Sequence, residues 1–557
     1  MSKHDKPRKV SNNGGSARDV ARLVAHLKEE LAQRRIENGI SRLNAHRGLL
    51  MTLAPGASEA ALLGYLAQWV DMGFGDAEIL HSMLARFSGP ERSRLPLGAY
   101  VYLRIAQGLV AMTGEATDEA IAHFDFVLGL SEEFHDKESL AIVNFWKARC
   151  LRKRGEYDAA LVYTTRARDL ALELGHTCMA AVMQVLESWL LFQKGKLKEA
   201  VQILQGTEDV LRETDDHVTL GNIHSSYGRI ASREGRHDEA IAHYAQAVAE
   251  YKKRDSQHRN LARTLANIAL AKRMIALQLR KKIDKEAERR RKAAVRGAKP
   301  ATQGRTDYRQ RLERLSQEAF SHLNEAAAIY ARHPTHHGTG TVHLICGYLH
   351  LDNAEYERAD EEASAAFELG KQKSDYILMG RARILQCIIE NARVDEEIGE
   401  GADPGYHARH AQSYIREAIE MAKHTQDRHL LAQAHIWEGF THCNAFFEDG
   451  DSARQSYDAA VMFLQRDHSS SDWQDLQTLR AKIYGTGNVD STLRAWSQGF
   501  VGDKTFRQMT DQFAELVIPK VWKREGCKVS RVATKLSISP KKVRRILQRA
   551  GTTRNGK

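Results

Sequence analysis

The chain has 557 residues, of which 42% are hydrophobic, and it carries a formal net charge of +11. This length exceeds what one compact core accommodates, so the sequence predicts several domains or an extended repeat array. No uncharged apolar run approaches the roughly 20 residues that a membrane-spanning helix needs, so we expect no membrane association.

The basic residues are concentrated in three stretches. Residues 520–557 hold thirteen Lys or Arg against one acidic residue, residues 280–299 hold ten against three, and residues 1–9 hold four against one. The rest of the chain is therefore net acidic. Positive charge that is localised rather than uniform indicates a binding surface for an anionic partner.

The first residues are polar and basic and contain no apolar core. Residues 1–17 are therefore predicted to be a disordered lead-in and not a secretory signal. The six cysteines are scattered and show no paired or metal-type spacing. That usage is typical of a reduced, cytoplasmic protein whose thiols serve as small apolar side chains.

Small residues then recur with a fixed period of 40. The helices predicted over residues 18–96 are expected to cap this array. One alanine per repeat stands at Ala120, Ala160, Ala200 and Ala240, and a second small residue stands twelve positions earlier, at Gly108, Ala148, Ser188 and Gly228. Two helices approach closely only where side chains are small, so each pair predicts the crossing point of a helical hairpin. Stacked hairpins form a superhelical solenoid.

The repeats resemble a known family. The segments Gly235–Tyr244 and Gly155–Ala160 resemble the turn and second helix of the tetratricopeptide repeat. Since the period is 40 and not 34, and the closing proline is missing, the chain resembles the long-helix variants of that family. The resemblance implies an all-α solenoid that binds a protein or peptide. We predict roughly eight repeats over residues 97–465, with a basic insertion at about 280–305, and then a helical linker over 466–502.

The first helices of such repeats line the concave face, where ligands usually lie. Arg and Asn side chains on that face suit a peptide carboxylate or backbone. By the repeat register, the candidates are Arg149, Arg152, Asn222, Arg229, Asn267 and Arg273. The alternative is that these are ordinary exposed polar residues of a helix, and the sequence leaves both interpretations open.

Two other polar clusters are given no functional role. The insertion contains the run Arg289–Lys292, which is interpreted as a solvated, partly disordered helix extension, with a second phosphate contact or a site for an anionic partner as the alternative. The histidines His333, His336, His337 and His343 have no acidic or cysteine partner at metal-site spacing, so no metal site is predicted. The chain contains no phosphate-loop, metalloprotease, hydrolase or kinase signature, so we predict neither an enzyme nor a cofactor.

The basic C-terminal stretch has the spacing of a helix-turn-helix. Ala533 supplies a small residue in the first helix, Ser537 a small residue at the turn, and Val543 a branched apolar residue ten positions after the first. Ser539 is placed to cap the second helix, and Pro540 occupies its first position, where a missing N–H has no cost. The second helix carries apolar residues on one face and cationic residues on the other.

Together with a preceding helix, residues of about 506–551 resemble the Fis-type DNA-binding domain, although Ser537 stands where that family usually has glycine. The resemblance implies a dimerising helix followed by a helix-turn-helix whose second helix enters the major groove of DNA. Within the predicted domain, residues 503–557, the expected DNA contacts are Arg531, Ser539, Lys541, Lys542, Arg544, Arg545, Gln548 and Arg549.

The sequence thus predicts an all-α bacterial transcriptional regulator. Its tetratricopeptide-like solenoid is expected to bind a protein or peptide partner, and its C-terminal domain is expected to bind duplex DNA as a homodimer. The alternative is a non-catalytic scaffold whose basic tail contacts protein or RNA. Salt-sensitive binding to duplex DNA separates the two.

Overall fold

The computed structural model describes residues 13–75, 77–295, 305–333, 338–397, 404–464, 471–486, 504–525 and 528–549. Over these ranges the regular secondary structure is helical, which confirms the predicted all-α fold class. None of the described helices has the length and apolar character that a membrane span needs. By its internal contacts the chain divides into two compact units, Met1–Leu479 and Arg480–Lys557.

The first unit opens with short helices that precede the repeats. They are α1 (Asn13–Ala32), α2 (Ile36–Ala45), α3 (Arg47–Thr52), α4 (Ala57–Trp69), a π-helical turn (Val70–Phe74), α5 (Ala77–Ala85) and α6 (Gly89–Ser93). Their apolar side chains share one core with the first helices of the array, so these helices cover the open end of the repeats.

The described helices that follow pair into eight hairpins. They are α7 (Leu97–Thr113) with α8 (Thr117–Gly129), α9 (Lys137–Lys153) with α10 (Tyr157–Glu173), α11 (Thr177–Gln193) with α12 (Leu197–Leu211), α13 (His217–Arg233) with α14 (His237–Arg254), α15 (Arg259–Val295) with α16 (Arg305–Tyr330), α17 (Gly338–Asp352) with α18 (Tyr356–Gln372), α19 (Tyr376–Glu397) with α20 (Pro404–Lys423), and α21 (Arg428–His442) with α22 (Gly450–Leu464). One further helix, α23 (Ser471–Thr486), comes next.

Small residues lie where the two helices of a hairpin cross, as the period of 40 predicts. The alanines of the repeats, such as Ala240, are fully buried. A Cβ atom added to Gly228 of α13 would lie 2.5 Å from the ring of Tyr244 on α14, so only glycine leaves room for that ring. In the turns, Gly155 and Gly235 have φ of +78° and +77°, the left-handed conformation that glycine adopts without strain.

The solenoid curls until early and late repeats touch. The backbone N–H of Gln426, in the turn before α21, donates to the carbonyl of Gly155 at 3.0 Å. Its side-chain oxygen accepts from the N–H of Asp158 on α10, also at 3.0 Å. The second and eighth hairpins are therefore neighbours in space, although 268 residues separate this last pair.

The structure shows where two predicted stretches lie, the basic insertion and the helical linker. The basic insertion begins as a continuation of α15, so the residues of the run Arg289–Lys292 are helical, and residues 296–304 lie outside the described ranges. Helix α23 begins inside the stretch predicted as a linker. Its Leu476 is buried against Ile436 of α21 and Leu464 of α22.

The second unit contains α24 (Phe506–Arg524), α25 (Val529–Lys535) and α26 (Pro540–Arg549). The three helices share a small apolar core. Its buried members are Ile518, Val532, Ala533, Val543, Ile546 and Leu547. On α26, the apolar face that the sequence predicts is the face that packs into this core, against α24 and α25.

Candidate functional site

The inner face of the solenoid holds a cavity of about 1270 Å³, a volume that includes its open mouth. Its wall is built mainly by first helices of successive hairpins, namely α9, α11, α13 and the start of α15, and residues of α1, α4 and the π-helical turn complete it. Apolar side chains of the lining include Ile142, Phe145, Trp146, Met179, Val182, Met183, Leu186 and Trp189. Six arginines and two aspartates also line the cavity.

Asp71 of the π-helical turn neutralises one part of this charge. It accepts a hydrogen bond from the indole N–H of Trp146 at 3.1 Å and forms an ion pair with Arg149. The guanidinium of Arg259 lies 3.9 Å from its other oxygen. Although burial opposes ionisation, the charge of Arg149 holds the pKa of Asp71 below its ordinary value.

Asp216 neutralises a third arginine, Arg34. Its carboxylate lies 2.5 Å from the Nη2 atom of Arg34, and both side chains are buried. Asp216 also caps α13, because it accepts hydrogen bonds from the backbone N–H and the hydroxyl of Thr219 at 3.0 and 2.7 Å. The pair ties the end of α1 to the first turn of α13.

The other three arginines, Arg152, Arg229 and Arg263, are named here the arginine cluster. Within the described part of the chain, no carboxylate lies within ion-pair distance of any of them. Arg152 stacks on Trp189, with its guanidinium carbon 5.0 Å from the ring centre. Arg263 donates to Asn260 at 3.0 Å, and its Nε atom is buried without a hydrogen-bond partner.

The arginine cluster carries uncompensated positive charge. Burial, together with the neighbouring guanidinium of Arg263, lowers the pKa of Arg152 to about 9 and that of Arg229 to about 10. Arginine nevertheless stays protonated at neutral pH. The lowered pKa values therefore express first the partial loss of hydration on burial and then the repulsion between neighbouring cations, and an anion in the cavity would relieve that repulsion.

A network of amides and hydroxyls borders the cluster. The Asn222 side-chain oxygen accepts from the hydroxyl of Tyr251 at 2.8 Å and from the amide of Asn260 at 3.0 Å. Asn260 in turn accepts from Arg263. These bonds hold the polar wall in one arrangement before any ligand arrives.

Four of the six residues predicted for the ligand groove line this cavity: Arg149, Arg152, Asn222 and Arg229. The other two do not. Arg273 instead pairs with Asp352 of α17, at 2.7 and 3.0 Å, and stacks on Tyr348. Asn267 is half-buried one helical turn beyond Arg263, and its side-chain nitrogen is buried without a hydrogen-bond partner.

The sequence prediction missed Arg34, Arg259 and Arg263 as cavity residues. The last two belong to the same helix as Asn267, and the spacing of one helical turn was the signal that could have found Arg263. No comparable signal exists for Arg34, because it reaches the cavity from the N-terminal helices and not from a repeat.

The histidine group does not assemble into a metal site in the described residues. His343 lies 2.6 Å from a carboxylate oxygen of Glu362, and His333 lies 3.2 Å from the carbonyl of Gln257. His336 and His337 are outside the described ranges. Across those ranges, no group of three or more potential metal ligands occurs.

In the second unit, a four-residue turn joins α25 to α26. Ser537 has a φ of +52°, a left-handed conformation that glycine adopts more readily than other residues. The N–H of Ile538 donates to the carbonyl of Ala533 at 3.1 Å, which closes the end of α25. The Ser539 hydroxyl accepts from the N–H of Lys542 at 3.2 Å and so caps α26.

The surface of α25 and α26 that faces away from their core is cationic. All eight residues predicted to contact DNA are exposed there: Arg531, Ser539, Lys541, Lys542, Arg544, Arg545, Gln548 and Arg549. Arg549 lies 3.9 Å from Asp511 of α24. In the portion of the chain that the structure describes, Arg544 and Arg545 form no ion pair, so their charge remains available to a ligand.

Helix α24 bears an apolar strip. Phe506 is 84% exposed and Phe513 is 49% exposed, and they lie seven residues apart, on the same side of the helix. Met509 and Leu516 fall at the intervening helical spacing and are half-buried. Exposed phenyl rings repeated along one side of a helix are unusual on a solvated surface.

Comparison with known proteins identifies one stretch of the repeats. The family model described as tetratricopeptide repeat matches residues 188–253. This match confirms the predicted tetratricopeptide character of that stretch. The model described as anaphase-promoting complex subunit 5 matches residues 406–442. No curated protein sequence matches the chain.

Among solved structures, the apo form of the quorum sensor NprR from B. thuringiensis is 12% identical, with a TM-score of 0.47, covering 72% of this chain and 99% of that one. A Rap protein complexed with competence and sporulation factor has the same identity and TM-score, covering 73% and 99%. A human IFIT1 dimer with m7Gppp-AAAA is 13% identical, with a TM-score of 0.42, covering 82% and 91%. Likeness at this level carries no information about function.

Proposed function

We propose that this protein is a ligand-responsive DNA-binding transcriptional regulator. In this proposal the tetratricopeptide-like solenoid binds a protein or peptide in its inner-face cavity, and the C-terminal helix-turn-helix, of the Fis type, binds duplex DNA. The observation that carries the DNA-binding half is the cationic surface of α25 and α26, opposite their common apolar core.

The chemistry of this surface suits the major groove. A guanidinium can donate two parallel hydrogen bonds to the O6 and N7 atoms of guanine, so Arg544 and Arg545 are assigned to base edges. A lysine ammonium acts as a point charge, and Lys541 in the first turn of α26 is assigned to a phosphate. The hydroxyl of Ser539 and the backbone N–H of Lys541, at the start of α26, are placed to contact the DNA backbone.

A homodimer is part of the proposal. One recognition helix buries little of the groove, and dimers bind two half-sites on the same side of the duplex. The apolar strip of α24, with Phe506 and Phe513 exposed, supports pairing with a second copy through this helix. The mass of the full-length protein in solution, measured by light scattering, tests this part.

The test of DNA binding uses the full-length protein. Duplexes are first selected from a random pool, and affinity for the selected and a scrambled duplex is then measured at several salt concentrations. Arg544→Ala or Arg545→Ala is expected to cost about 1–3 kcal/mol on the selected duplex and little on the scrambled one. Lys541→Ala is expected to weaken both alike and to reduce the salt dependence.

The matched control is Arg358→Ala, which removes an exposed, surface-paired arginine from the solenoid and should leave DNA binding unchanged. Equal binding to RNA, or affinity that none of the α26 variants alters, would contradict the proposal. Either result would favour a non-catalytic scaffold whose basic tail contacts RNA or protein.

A further inference from the structure

The inner-face cavity contains more positive charge than its own carboxylates neutralise. Asp71 forms ion pairs with Arg149 and Arg259, and Asp216 forms one with Arg34. The arginine cluster (Arg152, Arg229 and Arg263) has no counter-ion among the described residues. Three guanidiniums thus converge on one space with no acidic partner.

Such an arrangement is unfavourable in the free protein. The three arginines are half-buried, and charged groups that are partly removed from bulk water are normally paired, because an uncompensated charge raises the free energy of the folded state. Arg229 makes neither an ion pair nor a side-chain hydrogen bond within the part of the chain that is described. A neutral side chain at this position would therefore stabilise the ligand-free fold as well as the arginine does.

The rest of the lining indicates what kind of anion fits. The lining holds aromatic and aliphatic side chains beside the guanidiniums, and an inorganic ion would leave those apolar side chains without a contact. Its apolar wall on α9 and α11, with the indole rings of Trp146 and Trp189, suits aliphatic or aromatic side chains. Its amide network around Asn222 and Asn260 suits peptide N–H and C=O groups. The carboxylate of Asp71 at the same wall disfavours a polyphosphate.

We propose that this cavity binds a short peptide whose carboxylate, either C-terminal or from an Asp or Glu side chain, is held by the guanidiniums of Arg152, Arg229 and Arg263. The apolar side chains of the peptide lie against α9 and α11. This inference rests on the ligand-binding half of the proposed function and is independent of DNA binding. It adds the chemistry of the ligand and the residues that select it.

The test uses full-length protein and four pools of hexapeptides composed of Leu, Ile, Phe and Asn. The pools contain or lack one Asp or Glu, and each is made with a free or an amidated C-terminus. Binding is followed by the fluorescence of the cavity tryptophans and by the midpoint of thermal unfolding. Pools with a carboxylate are expected to bind and to raise the midpoint, and the neutral, amidated pool is not. Comparison of the two singly charged pools identifies the source of the carboxylate.

Two variants distinguish a ligand-binding arginine from a structural one. Arg229→Gln is expected to weaken peptide binding by roughly tenfold or more, because charge-assisted hydrogen bonds are lost, and to leave the unfolding midpoint of the free protein unchanged or higher. Arg273→Gln is the matched control. It removes an inner-face arginine that is paired with Asp352, so it should lower the midpoint and leave peptide binding intact.

Several outcomes would overturn the inference. One is that no carboxylate-bearing pool binds, and another is that ATP or inorganic phosphate displaces the bound pool. A third is that Arg229→Gln destabilises the free protein as much as Arg273→Gln does. If no carboxylate-bearing peptide pool binds while DNA binding is intact, this inference alone is overturned. DNA failure with intact peptide binding overturns only the DNA-binding half of the proposed function.

Discussion

A buried carboxylate, that of Asp216, lies at the junction between the end of α1 and the start of α13. Asp216 is 3% exposed, accepts from the Nε atom of Arg34 at 2.8 Å, and caps α13 through Thr219. Asp216→Ala would leave the guanidinium of Arg34 buried without its partner and the first turn of α13 without its cap. Both losses fall on the same contact between the N-terminal helices and the repeats.

The magnitude follows from these two losses. Removing one member of a buried ion pair costs about 3–5 kcal/mol. Losing a helix cap adds about 1 kcal/mol. Since one side chain makes both contacts, the terms are not independent, and we expect a total of about 4–5 kcal/mol. Asp216→Asn keeps a capping oxygen and should cost about 1 kcal/mol less than the alanine variant.

A local measurement suits this prediction, because a chain of this size need not unfold in one step. Hydrogen exchange of peptides from α1 and the first turn of α13 should speed up by at least about 100-fold in Asp216→Ala. The control, Asp209→Ala, removes a surface carboxylate paired with Arg212 and should change exchange little. If the two variants behave alike, or if Arg34→Met combined with Asp216→Asn restores none of the protection, the assignment of the energy to the buried pair is refuted.

Two further predictions concern a titrating group and a crossing point. Burial and the nearby charge of Asp136 raise the pKa of Glu138 to about 7 from its ordinary 4.5, so the folded state loses stability as pH rises from about 4.5 to 7. Glu138→Gln should therefore stabilise the protein by about 2–3 kcal/mol at pH 8 and hardly at pH 4.5. Thermal unfolding at both pH values measures this gain, and an equal gain at the two pH values would contradict the reasoning. Gly228→Ala should destabilise the fourth hairpin by about 1–3 kcal/mol, because its Cβ would strike Tyr244. Gly206→Ala, where nothing lies within 4 Å, should instead stabilise α12 by up to about 1 kcal/mol in denaturant unfolding.

The fold was predictable because its determinants are local and periodic. Glycine at position 228 and alanine at position 240 are each required by one close helix crossing, and the requirement repeats every 40 residues. The end of the array was harder to predict. Leu476 of α23 is buried against the last hairpin, but no repeat spacing in the sequence predicts that contact.

The site was only partly predictable, because which arginine is neutralised depends on distant partners. Arg149 and Arg273 are both arginines on the first helix of a hairpin, and both are ion-paired, with Asp71 and Asp352 respectively. These partners stand 78 and 79 positions away in the sequence, in opposite directions. Arg229, which has no acidic partner among the described residues, is indistinguishable from them by pattern. The charge imbalance becomes visible only when the superhelix brings the helices together.

The stability of the N-terminal junction and the binding of a ligand are expected to be coupled. Leu31 of α1 and Arg34, which follows the end of α1, form part of the wall of the cavity, and the ion pair with Asp216 holds Arg34 in place. A peptide that binds only when the wall is closed must stabilise the junction, and the effect is reciprocal, so a wall that opens more often must bind the peptide less tightly. Asp216→Ala should then weaken peptide binding without removing any guanidinium of the arginine cluster. Binding by Arg229→Gln, by contrast, should fall while exchange in α1 stays slow, because that variant removes an anion contact and leaves the junction intact.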